Sequence, residues 1–496
     1  MNVRLRPFFK DVVLTFVTQF IVLVSFFYGF KLIAASFGPQ GVGEYSLVKR
    51  VIGFIQPILL LGLGIGLPRY ISMSKLAARR GGYLRAGFLV VFFFTTMALV
   101  LINVMRGAFS NIFFGDSSYS TLIMPVSALL AGLILHALVS SCLRGMLLAG
   151  AFNLLDIVNL ALVPIMILLF VDNLTVAKLV GLIGVSTFAI SFGFSLLFLK
   201  DLFLWGRGEG FLHSLRELTV YSFPRFINSF VYAAFFSAGP ILAAHFVPMR
   251  DVGYLSVSQS LLGTVGAIVS PLGILLLPKI GNLISQKRSR EIKENLGYLI
   301  GATIYCSIFV FLQMFVFADS IVEFWLGPDF VDAALIMRII LCSIPFFLFC
   351  GTFGPILEAA QVRPVNLINL SASFLFSLVV TVVFLLLVTP FSPVVVISAA
   401  FTLGLICFGL LSYTAVREIY PDDYSGDWRS LGGALVINAA FALISLAVKP
   451  AITGDVFRLL FFESLLVILF LMILWLIKIT WIRKIPEKVM VNEGLA

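Results

Sequence analysis

Apolar runs of about 20 residues recur along the whole chain of 496 residues, with only short polar segments between them. A run of this length matches the roughly 30 Å of hydrocarbon that an α-helix crosses in a bilayer. Hydrophobic residues make up 60% of the chain, so a soluble fold would expose far too much apolar surface. The runs are too long for β-barrel strands, which are about 10 residues long and alternate in polarity. The sequence therefore predicts an all-α polytopic membrane protein.

The apolar runs define the predicted spans. The first follows basic residues but is longer than a signal-peptide core, so we expect it to be retained as a helix. We predict about 14 transmembrane helices, at about 12–35, 45–67, 83–104, 121–148, 153–171, 176–199, 220–246, 252–278, 296–318, 333–357, 366–388, 393–415, 430–449 and 457–480.

The net charge of +10 is distributed unevenly over these spans. The N-terminus, alternate loops and C-terminus contain 24 of the 34 Lys and Arg residues, the opposite side contains six, and four lie inside helices. Basic residues are retained on the cytoplasmic side, so both termini are predicted to be cytoplasmic. The basic excess is therefore explained by membrane topology, and no nucleic-acid partner is predicted.

The chain also contains an internal repeat. A shift of 210 residues gives ten identities in 40 ungapped positions, from the pair Gly29 and Gly239 to the pair Pro68 and Pro278. This period covers six helices, an even number, so the two halves have the same orientation, as in transporters built from parallel repeats. We predict helices 1–6 in residues 1–205, helices 7–12 in 206–420, and helices 13–14 with a cytoplasmic tail in 421–496.

Cations occur inside or at the ends of several predicted spans, where each costs a few kcal/mol unless it faces a partner or water. Lys49 and Arg50 are adjacent and diverge by about 100° on a helix, so only one can face a central cavity. Two interpretations stay open: snorkelling to the headgroups, or a cationic cavity that binds an anionic headgroup. The candidate substrate-binding residues are Lys49, Arg50, Lys31, Arg225, Arg144 and Asn228.

Acidic residues are scarce in the spans. Asp156 and Asn159 lie on helix 5, and Asn369 occupies the position of Asn159 in the second repeat, so these three are candidate ion-coupling residues. Structural pairing of Asp156 with Arg144 is the alternative, and His136 is interpreted as a packing or hydrogen-bonding residue.

Other chemistry is not indicated. The sequence has no phosphate-binding loop and no Cys or His spacing typical of metal sites, so we expect no catalytic residues, cofactor or metal. The glycines Gly62, Gly64 and Gly66 are interpreted as helix-packing residues. The acidic segment "DSIVEFWLGPDFVDAA" is expected to form a solvated loop.

Several segments resemble the polysaccharide transporters of the MOP superfamily. They are "AASFGPQGVGEYSLVKRVIGF", its repeat "HFVPMRDVGYLSVSQSLLG", the endings "GLPRYIS" and "LLPKIGN", and the arrangement of 6+6+2 helices. This superfamily includes Wzx-type O-antigen flippases, MurJ-type lipid II flippases and MATE drug exporters. The additional helix pair, 13 and 14, is more similar to the flippases, in which such a pair can form a groove for a lipid tail.

The resemblance implies two lobes in a V shape, alternating access, and a location in the cytoplasmic (inner) membrane. It also implies a flippase that moves a polyprenyl-pyrophosphate-linked oligosaccharide to the outer leaflet for O-antigen, capsule or exopolysaccharide biosynthesis. Members have a cationic central cavity, where Lys31, Lys49, Arg50 and Arg225 would lie. The implied partners are the lipid-linked glycan, membrane lipid and other polysaccharide assembly proteins.

Two other functions stay open. A MATE-like, cation-coupled exporter of small organic molecules would need acidic cavity residues, whereas this sequence offers cationic ones. A membrane enzyme acting on polyprenyl-linked glycans would need clustered His, Asp or Glu at one membrane face.

Overall fold

The computed structural model describes residues 5–205, 211–286, 289–360, 363–387, 390–419, 425–452 and 455–476. Every regular element in these ranges is helical, as expected for segments whose backbone polar groups must be satisfied without water. The 14 predicted spans lie on these helices within the described ranges; residues 388 and 477–480 of two spans lie outside them. The fold class is therefore confirmed.

The chain forms two compact units. Unit 1 contains Met1–Val257 and Trp325–Asp329, and unit 2 contains Ser258–Phe324 and Phe330–Ala496. The α-helices are α1 (Leu5–Leu60), α2 (Leu63–Met73), α3 (Ala77–Val104), α4 (Arg106–Phe114), α5 (Ile123–Gly145), α6 (Ala149–Asp156), α7 (Val163–Phe170), α8 (Val176–Trp205), α9 (Phe211–Ala243), α10 (Met249–Ser285), α11 (Ser289–Val316), α12 (Ala318–Leu326), α13 (Ala333–Leu341), α14 (Ile344–Ala360), α15 (Val365–Leu386), α16 (Pro393–Ile419), α17 (Ser425–Ile452) and α18 (Val456–Leu476).

Eleven helices in the described ranges are long and apolar enough to cross a membrane, and the bent pair α13–α14 would add a twelfth crossing. One of the eleven, Lys10–Leu60, has 51 residues and contains the first two predicted spans. The helix turns at Gly38, whose φ of 62° and ψ of −169° are not helical and suit a residue without a Cβ. The predicted number of 14 is thus approximate.

Three other predicted elements differ in detail. The second span ends at Leu60 rather than near 67, because Leu61 and Gly62 adopt positive φ values and α2 starts afresh. The fifth predicted span consists of α6 and α7, which are joined by a π-helical segment, Ile157–Leu162. The acidic segment expected as a solvated loop forms α12 and a 3₁₀ turn, Pro328–Phe330.

Unit 1 is built around α1, α5, α8 and α9. Glycines allow close approach of α5 and α8, since a Cβ on Gly132 would lie 3.3 Å from the Cβ of Thr187 and would also overlap the carbonyl oxygen of Gly184. Trp325 belongs to this unit because its Nε1 donates to the carbonyl oxygen of Phe27 at 3.0 Å.

Unit 2 contains the C-terminal helix pair. Helices α11 and α17 are joined by two side-chain hydrogen bonds. The amide of Asn438 donates to the carbonyl oxygen of Tyr305 at 3.3 Å, and the ammonium of Lys449 donates to the carbonyl oxygen of Val316 at 2.8 Å. Helix α18 packs on them through Phe470, whose ring stacks on Phe309 with centroids 4.2 Å apart. These contacts hold both additional helices in unit 2.

Candidate functional site

Lys49 and Arg50 lie in the part of α1 that follows the turn at Gly38, and their side chains have different surroundings. Lys49 is exposed, and its Nζ lies 4.8 Å from the ring centroid of Phe26 and 5.9 Å from those of Phe30 and Tyr45. A cation over aromatic faces is attracted by their quadrupoles. Lys49 is therefore an accessible ammonium in an aromatic setting.

Arg50 contacts a neighbouring helix. Its Nη2 donates to the carbonyl oxygen of Ser256 on α10 at 2.9 Å, and the side chain is half-buried. The two helices approach closely here, because a Cβ on Gly253 would lie 2.9 Å from the Cα of Gly43. The adjacent cations thus diverge, as their helical spacing requires.

The other candidate cations are dispersed over unit 1. Lys31 is exposed on α1, directly after Phe30, so the structure brings its segment beside Lys49. Arg225 is half-buried on α9, and Asn228 is half-buried three residues later. Arg144 ends α5, where its guanidinium donates to the Ser141 hydroxyl at 3.2 Å. The described contacts group Lys49 with the Lys31 segment, but they do not join these residues to Arg225 or Arg144.

The acidic candidate Asp156 belongs to a buried polar network around the π-helical segment. Its Oδ1 lies 3.3 Å from His136 Nε2, a contact that is an ion pair only when the imidazole is protonated. The Asn159 Nδ2 lies 3.0 Å from His136 Nδ1 and donates to the Ser191 hydroxyl at 2.9 Å. Asn159 is 1% exposed. With a neutral imidazole, the distances fit Nε2–H donating to Asp156 while Nδ1 accepts from Asn159.

Asn369, the counterpart of Asn159 in the repeat, has different surroundings. It is buried on α15, and its Nδ2 has no hydrogen-bond partner among the described residues. The hydroxyl of Ser373 donates to its backbone carbonyl at 2.8 Å. The sequence equivalence of the two asparagines therefore does not extend to their contacts.

A second polar group of unit 1 lies where α2, α3 and α9 meet, on the predicted cytoplasmic side. The guanidinium carbons of Arg69 and Arg225 lie 4.2 and 3.6 Å from the ring centroid of Tyr221. Nearby, Glu217 accepts from Tyr83 and pairs with Arg79 at 3.5 Å. The sequence did not predict that Arg69, Tyr221 and Glu217 lie together. The "GLPRYIS" segment, in which Arg69 follows a proline, was the one sequence feature that pointed to Arg69.

No group of three His, Cys, Asp or Glu side chains that could hold a metal ion occurs within the described ranges. The five cysteines are free thiols.

Comparison with known proteins identifies the fold. No family model matches the sequence, and neither does any curated protein. A lipid II flippase, MurJ, in an inward closed conformation aligns with a TM-score of 0.75 at 13% identity, over 96% of this chain and 100% of that chain. An inward-facing multidrug resistance MATE family transporter of the MOP superfamily gives 0.66 at 13% identity, over 82% and 98%. A eukaryotic MATE transporter gives 0.53 at 14% identity, over 86% and 99%. The chain thus has the fold shared by these transporters.

Proposed function

We propose that this chain is a flippase that moves a polyprenyl-diphosphate-linked oligosaccharide from the cytoplasmic to the outer leaflet of the cytoplasmic membrane. The observation that carries the proposal is the exposed ammonium of Lys49 within an apolar, membrane-spanning helix. An isolated charge in such a helix is unfavourable, and an anionic substrate would compensate it. The MurJ-like fold, with a helix pair after the repeats, supports the same function.

The proposal assigns different tasks to the candidate residues. Lys49 and Lys31 attract the diphosphate, while Arg50 holds α1 against α10 through Ser256 and adds positive charge beside the path. Arg225, Asn228 and Arg144 would contact the headgroup nearer the predicted cytoplasmic side. The lipid tail stays in the bilayer, so only the polar headgroup needs replacement of its hydration.

We further propose that the network of Asp156, His136 and Asn159 binds the coupling cation or proton. A largely buried carboxylate and an imidazole 3.3 Å apart can exchange a proton. The Oδ1 of Asn159 has no hydrogen-bond partner among the residues that the structure describes, so it can accept a hydrogen bond or a cation contact. Asn369 is the candidate in the second repeat because its buried Nδ2 lacks a partner among the described residues.

The flippase proposal is tested by complementation. Cells that lack their own O-antigen flippase would express this chain, and surface glycan and accumulated lipid-linked intermediate would be measured. We expect surface glycan to be restored, to be lost in Lys49→Ala/Arg50→Ala, and to persist in the control Lys200→Ala, which removes one exposed cation on α8. A double variant that restores glycan fully at a normal protein level would contradict the assigned site.

A MATE-like exporter of small organic molecules is the second candidate. It is favoured by the largely buried carboxylate of Asp156 and by the fold shared with two MATE transporters. Increased resistance to organic cations in cells expressing the chain, lost in Asp156→Asn, would support this candidate in place of the flippase.

A further inference from the structure

We propose that Arg69, Tyr221 and Arg225 form a loading site for the diphosphate group of a polyprenyl lipid, at the predicted cytoplasmic end of α2 and α9. This inference rests on the proposed function for its substrate and adds a binding site separate from Lys49. We call these three residues the Arg–Tyr–Arg cluster.

The two arginines of the cluster come from different helices that are packed closely together. A Cβ on Gly66 would overlap the hydroxyl of Ser222, and a Cβ on Gly62 would overlap the carbonyl oxygen of the same residue. Ser222 directly follows Tyr221 on α9. Because the backbones touch here, the position of Arg69 relative to Tyr221 and Arg225 is set by the packing of α2 on α9.

The cluster has an excess of positive charge. The distances of Arg69 and Arg225 to the Tyr221 ring place the two guanidinium carbons within about 8 Å of each other. Neither arginine forms an ion pair in the part of the chain that the structure describes. The carboxylate of Glu217, one turn before Tyr221, is already shared by Arg79, Tyr83 and His213.

The donors of the cluster suit a phosphate group. Arg225 uses its Nη1 to donate to the Tyr221 carbonyl oxygen at 2.7 Å, which leaves its other N–H groups available. Arg69 is exposed and its side chain hydrogen-bonds that of Tyr221, so the remaining N–H groups of its guanidinium can donate to phosphoryl oxygens. A diphosphate offers two linked phosphoryl groups and more negative charge than a phosphodiester. Two guanidiniums beside one aromatic ring therefore favour the diphosphate over an ordinary phospholipid headgroup.

The location of the cluster fits the first step of transport. Lys49 on α1 and Arg69 on α2 are 20 residues apart in the sequence. Twenty helical residues span at most about 30 Å, which is about the thickness of the hydrocarbon core of a bilayer. The cluster would bind a lipid diphosphate where the substrate is made, and Lys49 would receive it further along the same helical path.

The test measures binding to the purified full-length protein in detergent micelles, with farnesyl diphosphate as the probe and phosphatidylglycerol and inorganic pyrophosphate as competing ligands. We expect Arg69→Gln and Arg225→Gln each to raise the Kd for farnesyl diphosphate by about tenfold or more, because each loses charge-assisted hydrogen bonds. Arg69→Lys should give an intermediate Kd, since it keeps the charge and loses the fork. The control Lys75→Gln removes an exposed cation two residues beyond α2 and should leave Kd unchanged.

Three outcomes would overturn the loading site. They are unchanged binding in Arg69→Gln, an equal loss in Lys75→Gln, or equal affinity for phosphatidylglycerol, which would indicate a general lipid anchor. Pyrophosphate should compete more weakly than farnesyl diphosphate, because it lacks the chain. Arg69→Lys keeps the test informative if Arg69→Gln does not fold, as judged by its melting temperature and elution profile.

Failure of the loading site and of the flippase proposal are distinguishable. If the Arg69-dependent binding occurs but cells without an O-antigen flippase are not complemented at a normal protein level, the site stands and transport of that O-antigen intermediate is wrong. If complementation succeeds while Arg69→Gln binds the probe like wild type, transport stands and the loading site is wrong.

Discussion

Adjacent residues of one helix can have different roles when the helix geometry separates their side chains. We predict that Lys49→Gln reduces transport at least tenfold with an unchanged melting temperature, because its ammonium contacts only aromatic faces among the contacts described. Arg50→Gln should instead lower stability by about 1–2 kcal/mol, because it loses the hydrogen bond to Ser256. Transport assays and thermal melting of both purified variants separate the two effects; the reverse pattern would contradict the assignment.

The buried network gives a second prediction at the residue scale. Asp156→Asn should remove the dependence of transport on an imposed Na⁺ or pH gradient, since it loses the charge that faces His136. Reconstituted vesicles with a fluorescent polyprenyl-diphosphate sugar provide the measurement. The control Asp172→Asn changes an exposed carboxylate between α7 and α8 and should keep the dependence. Full gradient dependence in Asp156→Asn would exclude this network from coupling.

At the scale of helices, the glycines at the start of α2, Gly62 just before it and Gly64 within it, are not equivalent. Gly62 has a φ of 74° and lies against Ser222, whereas the nearest atom to a Cβ on Gly64 would be 3.9 Å away. We expect Gly62→Ala to destabilise the protein by about 3 kcal/mol through backbone strain and overlap. Gly64→Ala should be neutral or stabilising by up to about 1 kcal/mol, because it restricts the unfolded chain. Melting temperatures test this contrast, and equal shifts would refute it.

One carboxylate of α12 joins α17 to α13 inside unit 2. Asp319 accepts from both Arg338 and Lys449, the latter at 2.8 Å. Burial by itself would raise the pKa of Asp319, but the hydrogen bonds from Lys449 and Arg338 outweigh it and keep the pKa below its ordinary value of 3.8. A carboxylate whose pKa is lower in the folded than in the unfolded protein stabilises the fold fully at pH values above the unfolded pKa. This stabilisation is lost as the pH falls through the folded pKa.

Asp319→Asn should therefore lower the free energy of unfolding at pH 7 by only about 1 kcal/mol, because the carboxylate is 40% exposed and partly screened, and the melting temperature should fall accordingly. The difference from wild type should narrow below pH 4, where the wild-type carboxylate becomes protonated. Asp332→Asn, an exposed carboxylate that forms no ion pair with the described residues, is the control. A difference that stays constant down to pH 3 would show that the charge of Asp319 does not matter.

At the scale of the whole molecule, the distribution of Lys and Arg predicts the topology. In a variant without native cysteines, Lys178→Cys should react with an impermeant maleimide added outside intact cells, and Lys75→Cys only after permeabilisation. Both positions are exposed, so the contrast reports sidedness. Labelling of Lys75→Cys from outside would invert the predicted topology and move the Arg–Tyr–Arg cluster to the outer face.

The sequence by itself determined the membrane class, the helical segments and the uneven charge, because hydropathy and charge are properties of each segment alone. It also placed Lys49 and Arg50 on divergent sides of one helix, a consequence of 3.6 residues per turn. Gly38, where the structure turns, lies in the connection predicted between the first two spans. The break at Gly62 was less accessible, because Gly62 lies inside the span predicted at 45–67.

Only the tertiary structure decided which helix faces which. Arg50 and Ser256 are 206 residues apart, Tyr83 and Glu217 are 134 apart, and no local pattern joins either pair. The physical reason is that lipid tails are as apolar as leucine, so hydropathy does not distinguish a lipid-facing from a protein-facing helix side. Close packing at small residues and a few polar contacts determine which side of each helix faces the protein. These contacts place Arg69 beside Tyr221 and His136 beside Asp156.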